Sequence, residues 1–475
     1  MGSAVRDRAV VLGGSMAGLL AARVLSETFA EVLVVDRDGL SGETGYRRGV
    51  PHGRHAHGLV ARGQQIMQDH FPGLVEELTE AGVVPGDFSG DIRWYFNGRL
   101  VRSGTTGLLS VPATRPVLEY HVRRRVQAIP NVTFLERHDI LGLQTTEDGR
   151  RVTGARVQRE GDTRPAVLHA DLVVDITGRG SRTPVWLEEL GYPRPKEERV
   201  KIGLAYTTRH YRLREDPFGK DIAIIPVATP SHPRGGLLYR VPGTAGHVEL
   251  SLTGVLGDHP PTDPEGFHAF VRSLPVPEVW EAINDAEPLD DPVAFRFPAS
   301  VRKHYERLTR FPENFLVMGD AVCSFNPVYG QGMTVAALES LVLRRHLADG
   351  GIPEPLAFFR DISREIDAPW DFSAGADLGY AGVIGPRTLK VRLANAYMAR
   401  LQHAAVFDAY LTNAFIRAAG LIDRPEALMR PGAVLRVLRH GWRRLPAEPA
   451  PVAPPATWRD TAAEPAQHPA RDNAA

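Results

Sequence analysis

The stretch from Ala9 to Asp36 restricts the fold of this 475-residue chain more than any other. Residues 9–12 (Ala-Val-Val-Leu) are an apolar run that stops at Gly13 and Gly14, as a strand buried on both faces of a parallel sheet does. Met16, Leu19, Leu20, Val24 and Leu25 then recur at helical spacing. Residues 32–35 (Val-Leu-Val-Val) read as a second buried strand, closed by Asp36. Strand, glycine turn, helix and strand within about thirty residues make a βαβ unit. The predicted class is therefore α/β, opening with a Rossmann-like, doubly wound sheet.

The turn has a pattern of its own. The dinucleotide fingerprint asks for glycine at its first, third and sixth positions, which here are Gly13, Ser15 and Gly18. The first glycine turns the chain sharply, and the last lets helix and strand pack closely. Ser15 replaces the middle glycine, whose small size admits a pyrophosphate to the backbone. Met16 and Ala17 complete the turn, and Asp36-Arg37 ends the second strand with a carboxylate placed for ribose hydroxyls. A tight turn without a ligand explains neither the cluster of small residues nor Asp36. A nucleophile elbow would need glycine where Ala17 stands, and no motif supplies its histidine.

Further along, residues 55–81 read as a helix, 91–101 as a hairpin turning at Asn97-Gly98, and 117–129 as a helix. Residues 131–135, 152–158 and 170–176 read as strands. Between 201 and 255, strand-like segments separated by Pro/Gly clusters predict an inserted antiparallel sheet. Ile222, Ile224, Ile225, Leu237 and Leu238 there suit either a greasy pocket or the core. A strand returns at 314–318, a helix at 333–348, and helices fill 362–440 with breaks at Pro386 and Pro425. The expected division is a discontinuous nucleotide-binding domain (1–85, 112–190, 296–350), a β-rich substrate domain (86–111, 191–295) and a helical C-terminal region (351–445). The Pro- and Ala-rich residues 446–475 are expected to be a disordered tail.

Composition narrows the partners. Lys+Arg 56 balances Asp+Glu 56, so the chain has no net field to hold nucleic acid or an anionic membrane. The single cysteine, Cys323, excludes an internal disulfide framework and cysteine-rich zinc modules. Arg6 and Arg8 before the apolar residues 9–25 resemble a secretory signal, but Gly13, Gly14 and Ser15 interrupt it. No other apolar run is long enough to span a bilayer. The expectation is a soluble, cytoplasmic enzyme without stable membrane insertion.

A second motif follows the strand at 314–318: Gly319-Asp320-Ala321, then Asn326-Pro327-Val328-Tyr329-Gly330-Gln331-Gly332-Met333 at the start of a helix. An acid at a strand end reaches a sugar-like chain, and glycine amides at a helix N-terminus suit a delocalised anion. Pro327 to Gly330 would line a flat ring. One long ligand touching both motifs explains them together; FAD fits, and NAD would not need the second. Between them, His52, His55 and His57 tempt a metal reading, but the setting lacks cysteine and the zincin acid, so no metal is expected. Arg48 and Arg115 are better read as pyrophosphate ligands, and the run Arg123-Arg124-Arg125 as a solvated helix face.

These motifs as a set resemble the group A flavoprotein monooxygenases of the para-hydroxybenzoate hydroxylase fold, over about residues 5 to 345. Residues 48–57 (Arg-Gly-Val-Pro-His-Gly-Arg-His-Ala-His), 171–182 (Asp-Leu-Val-Val-Asp-Ile-Thr-Gly-Arg-Gly-Ser-Arg) and Ala-Pro-Trp at 368–370 are similar to flavin epoxidases of polyether biosynthesis. Those enzymes act on the polyene precursors of monensin and lasalocid. The resemblance implies FAD and O2, a flavin C4a-hydroperoxide, and oxygen insertion into a hydrophobic natural-product intermediate, with alkene epoxidation first. Aromatic hydroxylation, or a flavin reductase or non-redox flavoenzyme, is the alternative. It also implies Asp320 and Met333 on the ribityl chain and ring, Asp36 and Arg48 on the adenosine diphosphate, and Pro327, Tyr329 and Gly330 at the oxygen-transfer face. No side-chain nucleophile is expected. Where aromatic hydroxylases carry Asp-Gly this chain has Thr177-Gly178, so electrons come from NAD(P)H or from a separate flavin reductase. Cys323 stands where the family has histidine and is expected to be a small apolar filler.

Overall fold

A computed structural model describes residues 6–42, 44–241 and 245–444; the expected disordered tail, 446–475, lies outside them. The class is α/β as predicted, with an inserted antiparallel sheet and a helical C-terminal region. Arg6–Leu12 and Phe29–Val35 pair in parallel around the helix α1 (Met16–Leu25). With Leu172–Asp175, Phe315–Val317 and Val132–Leu135 they form a five-stranded sheet. In space the order runs 315–317, 172–175, 6–12, 29–35, 132–135. Residues 9–12, 32–35, 172–175 and 315–317 are buried on both faces, as their apolar runs require, whereas the edge strand Val132–Leu135 exposes Thr133.

The remaining helices are α2 (Ala61–His70), α3 (Leu74–Glu80), α4 (Arg115–Gln127), α5 (Thr183–Glu189), α6 (Pro264–Arg272), α7 (Pro277–Ile283), α8 (Gly332–Leu347), α9 (Pro355–Asp377), α10 (Leu389–Ala405), α11 (Ala409–Ala419) and α12 (Pro431–His440). The single helix expected over 55–81 is instead α2 and α3. Pro72 has no amide to continue the ladder, and Gly73 turns the chain at φ +83°. The expected hairpin turns at Asn97 and Gly98, with φ of +50° and +72°, the left-handed pair of a two-residue turn.

The second large sheet is built on Leu204–Arg212, His247–Gly254, Gly235–Arg240 and Ala223–Val227, antiparallel neighbours in that order. Ile92–Phe96 adds in parallel to Ala223–Val227, and Val293–Phe297 pairs with Leu204–Arg212. Alternation gives the sheet two faces. Ile224, Leu238, Leu250 and Leu252 pack under α6 and α7. Trp94, Ile225 and Leu237 stand on the opposite face, where they are only half-buried. Of the five candidate pocket residues, Ile224 and Leu238 are therefore core, and Ile222 is buried with Val60 and Tyr239.

Candidate functional site

Both glycine motifs lie at the same edge of the parallel sheet. Gly13 leaves the strand Arg6–Leu12 with φ +113°, and a Cβ there would sit 2.5 Å from the Ile176 carbonyl oxygen. Gly18 is tighter still: its Cβ would lie 1.8 Å from the Gly13 carbonyl oxygen, so helix and turn touch through backbone alone. Two strands away, Gly319 turns at φ +63° after Phe315–Val317. Thr177–Gly180 lies between them, with Gly178 packed towards Asp320. Motifs about three hundred residues apart in the sequence thus flank one crevice.

Asp36 closes the first turn. Its carboxylate accepts from the amides of Gly14 (2.7 Å) and Asp38 (2.8 Å), and burial pushes its pKa up. Ser15 binds the Arg115 guanidinium at 2.7 Å through its hydroxyl, a bond that glycine could not make. Arg115 also pairs with Glu119 (2.9 Å), which holds Arg47 and Arg123 as well. Burial alone would raise the Glu119 carboxyl, but Arg115 and Arg47 outweigh it and hold it below its ordinary value. The expected solvated run at 123–125 is therefore corrected: Arg123 is buried on Glu119 and Arg125 bonds Glu77. Arg37 and Arg48 are exposed, and Arg47, beside Arg48, is the buried arginine of that segment.

At the second motif the Gly319 amide donates to Glu339 of α8 at 2.6 Å. Glu339 is wholly buried, its pKa pushed up to about 8 by burial, and its other oxygen has no hydrogen-bond partner among the described residues. Asp320 accepts no hydrogen bond from a described residue. Burial raises its pKa, opposed by Arg179, Arg115 and Lys303. Gly330 takes φ +66° after the short turn Pro327–Tyr329, and a Cβ on Gly332 would meet nothing within 4 Å. The N-terminus of α8 thus faces open space, with Met333 buried just inside it. Pro327 is exposed and Tyr329 half-buried.

The C-terminal helices complete this loop. Asp377, at the end of α9, accepts from Asn326 (3.0 Å) and from the Tyr329 hydroxyl (3.0 Å). Burial pushes its pKa up to about 7 against those bonds. Tyr206, on the inner sheet face, is nine-tenths buried, and its hydroxyl has no hydrogen-bond partner among the described residues. Nothing in the local sequence marks Asp377 or Glu339, because their role depends on which loop packs against them.

The inner sheet face also carries a polar strip. His55 Nδ1 lies 2.8 Å from Thr208 Oγ1, which bonds Ser251. Ser251 donates to Glu249 at 3.1 Å; His210 lies between Glu249 (3.5 Å) and the half-exposed Asp290 (2.6 Å). Burial lowers the pKa values of His55 and His57 to about 4, with Arg54 and Arg115 adding to it respectively. No group of residues that could hold a metal occurs among the described residues. Asp175 does not stand in for the acid missing at Thr177: it is wholly buried and already accepts from Thr177, Ser181 and Thr183. Cys323 is buried, and burial pushes its thiol well above the ordinary range.

No established family profile matches the chain. Protein Rv3254 of Mycobacterium tuberculosis is 33% identical over 458 residues, covering 92% of this chain and 94% of that protein. Among solved structures, the flavin-dependent brominase Bmp2 aligns with a TM-score of 0.63 at 14% identity, covering 91% of this chain and 98% of that one. The p-nitrophenol 4-monooxygenase PnpA of Pseudomonas putida gives 0.61 at 14%, over 88% and 98%. PqsL of Pseudomonas aeruginosa, described as a probable FAD-dependent monooxygenase, gives 0.54 at 18%, over 86% and 98%. The fold is that of flavin-dependent monooxygenases and halogenases.

Proposed function

The chain belongs to the family of Protein Rv3254 of Mycobacterium tuberculosis, and we propose that it is an FAD-dependent monooxygenase inserting one atom of O2 into a hydrophobic small molecule. The observation that carries this reading is the convergence of Gly13, Asp36, Asp320 and Gly332 on one edge of a parallel sheet. A ligand with adenosine diphosphate at one end and a ribityl chain bearing a large flat ring at the other has a use for both halves; NAD, which lacks the open polyol chain for Asp320 to bind, does not need the second. The residues fit FAD: the α8 N-terminus faces open space, and the Asp320 carboxylate keeps its acceptor capacity free.

In this assignment residues Gly13, Ser15, Met16, Ala17 and Gly18 hold the pyrophosphate with the amides of α1. Asp36 holds the ribose, with Arg37 and Arg48 on the solvent side of the adenosine diphosphate. Arg115 fixes Ser15. Asp320 and Met333 take the ribityl chain, Gly330 and Gly332 the ring, and Pro327 and Tyr329 border the oxygen-transfer face. When bound and reduced, FAD supplies the activation of O2. The chain's own residues position the substrate, exclude water, and offer the positive end of α8 to negative charge on the ring edge.

Trp94, Ile225 and Leu237 give the substrate side an apolar half, which supports epoxidation of an alkene in a polyketide or terpenoid. Hydroxylation of a phenol is the second reading. It is favoured by the polar strip from His55 to Asp290, which offers a phenolic proton a bonded route outward. Thr177 in place of an acid supports reduction by a separate flavin reductase as readily as by NAD(P)H.

The test is the absorbance of the purified protein, then reduction with NADPH or with NADH plus a flavin reductase, under labelled O2 and a polyene or a phenol. Bound flavin and labelled product are expected, and the product that takes the label chooses between the two substrates. A protein that takes up no FAD ends the reading. A flavin that reoxidises without labelling either compound moves it to a reductase or a non-redox flavoenzyme.

A further inference from the structure

The zero net charge of the chain conceals a strongly polarised surface. Residues 386–405 and 430–444 contain nine arginines and lysines and no acid, so the rest of the chain is net acidic by the same amount. These residues include α10 and α12, which lie side by side. Arg400 of α10 donates to the Gly441 carbonyl (3.3 Å), and His403 meets the Arg443 carbonyl (2.8 Å). The Arg400 guanidinium lies 3.7 Å from the centre of the Trp442 ring.

The outward faces are apolar as well as basic. Leu389 and Leu393 on α10, and Leu435, Leu438 and Trp442 on and after α12, are between 61% and 71% exposed. Leu389, Leu393 and Arg400 share one face at helical spacing, as do Leu435, Leu438, Arg439 and Trp442. The Arg400–Trp442 stack joins the two faces into one surface. Lys390 and Arg436 are paired with Asp371 and Asp408, whereas Arg392, Arg400, Arg439 and Arg443 form no ion pair with a described residue. Where α10 meets the hairpin at Asn97, a cavity of about 500 Å³ is lined by Arg99, His232, Arg400 and His403 among others.

We infer that α10 and α12 dock the protein on an anionic phospholipid bilayer, lying in its surface. Exposed leucines and a tryptophan ringed by arginines fit the boundary between acyl chains and headgroups. The cationic cavity beside them fits a headgroup phosphate. A second copy would bring two like-charged faces together, and nucleic acid would gain nothing from the leucines. The attraction is local, which is why the net charge does not reveal it. Docking is peripheral: among the described residues no helix is long and apolar enough to cross a membrane. The inference does not depend on which reaction the crevice performs.

The test is sedimentation of the full chain with vesicles of phosphatidylcholine, with or without phosphatidylglycerol. Binding is expected to the anionic vesicles only and to weaken with salt. Leu438→Glu/Trp442→Glu and, separately, Arg392→Glu/Arg439→Glu should each lower partitioning at least about tenfold while leaving the circular dichroism melt unchanged. Equal binding to both vesicle types, or to neither, overturns the inference. So does a concentration-dependent dimer that the leucine–tryptophan variant abolishes, since a second copy would then be the occupant. Shielding of Trp442 from acrylamide in the vesicle-free monomer, read against Trp442→Phe, would assign the patch to the chain's own residues 445–475 and overturn it too.

Discussion

Asp320 and Gly18 should fail in different ways when changed, because one is an unspent acceptor and the other a backbone contact. Asp320 takes no hydrogen bond from a described residue, so Asp320→Ala removes no native bond. It does remove a carboxylate that Arg179, Arg115 and Lys303 stabilise. If Asp320 holds the ribityl chain, the loss of one or two charged hydrogen bonds should weaken FAD at least about tenfold. The melt should shift little; flavin retained through gel filtration, beside a thermal melt, checks both. Gly18→Val should lose the cofactor and the fold together. Its Cβ would fall 1.8 Å from the Gly13 carbonyl oxygen, a backbone atom that cannot rotate away. A cost of about 3 kcal/mol or more follows, read as a lower urea midpoint along with absent yellow colour.

At the scale of elements, α2 and α8 show how packing overrides propensity. Gly63 lies inside α2, where alanine would ordinarily gain about 1 kcal/mol. Here an added Cβ would lie 2.4 Å from the Thr334 hydroxyl and 2.9 Å from Leu59. Thr334 follows Gly332 and Met333 on α8, so the clash pushes directly on the helix that faces the crevice. Gly63→Ala should therefore lower the melting temperature and loosen flavin together; a gain in stability would show that Thr334 swings aside freely. The same distinction explains what could be read from the sequence. Gly13, Gly18, Gly319 and Gly330 were legible because a sharp turn or close approach demands glycine at a fixed offset from a strand. The parallel strands were legible from Val/Leu runs, and the hairpin from Asn97-Gly98. The break at Pro72-Gly73 was written in the sequence and overrun by a long apolar period. Arg47, Glu119, Glu339 and Asp377 were not legible, since each owes its state to partners from distant segments. The basic face of α10 and α12 was hidden by averaging charge over the whole chain.

For the molecule as a whole, those distant partners make stability depend on pH in a window that can be isolated. Glu339 and Asp377 have folded pKa values raised to about 8 and about 7. A raised acid contributes stability that is full below its unfolded pKa and is lost as pH rises through the folded value. His55, His57 and His70 have values lowered to about 4. They act oppositely, adding stability as pH rises from about 4 to 6.5 and nothing further above it. Below pH 6.5 the two sets offset each other, and above it only the acids of this pair of sets still titrate. His210, raised to about 9 by its carboxylate partners against burial, also loses stability as pH rises there. Between pH 6.5 and 8.5 the wild-type chain should therefore lose stability, with the two acids accounting for on the order of 2 kcal/mol. Glu339→Gln/Asp377→Asn keeps an acceptor for Gly319, Asn326 and Tyr329 and cannot ionise. Urea denaturation of the double variant should show a much flatter slope across this window, with the remainder due to His210. Equal slopes in the two proteins would mean that these carboxyls are already ionised in the folded state, held so by groups that also stabilise the crevice at neutral pH.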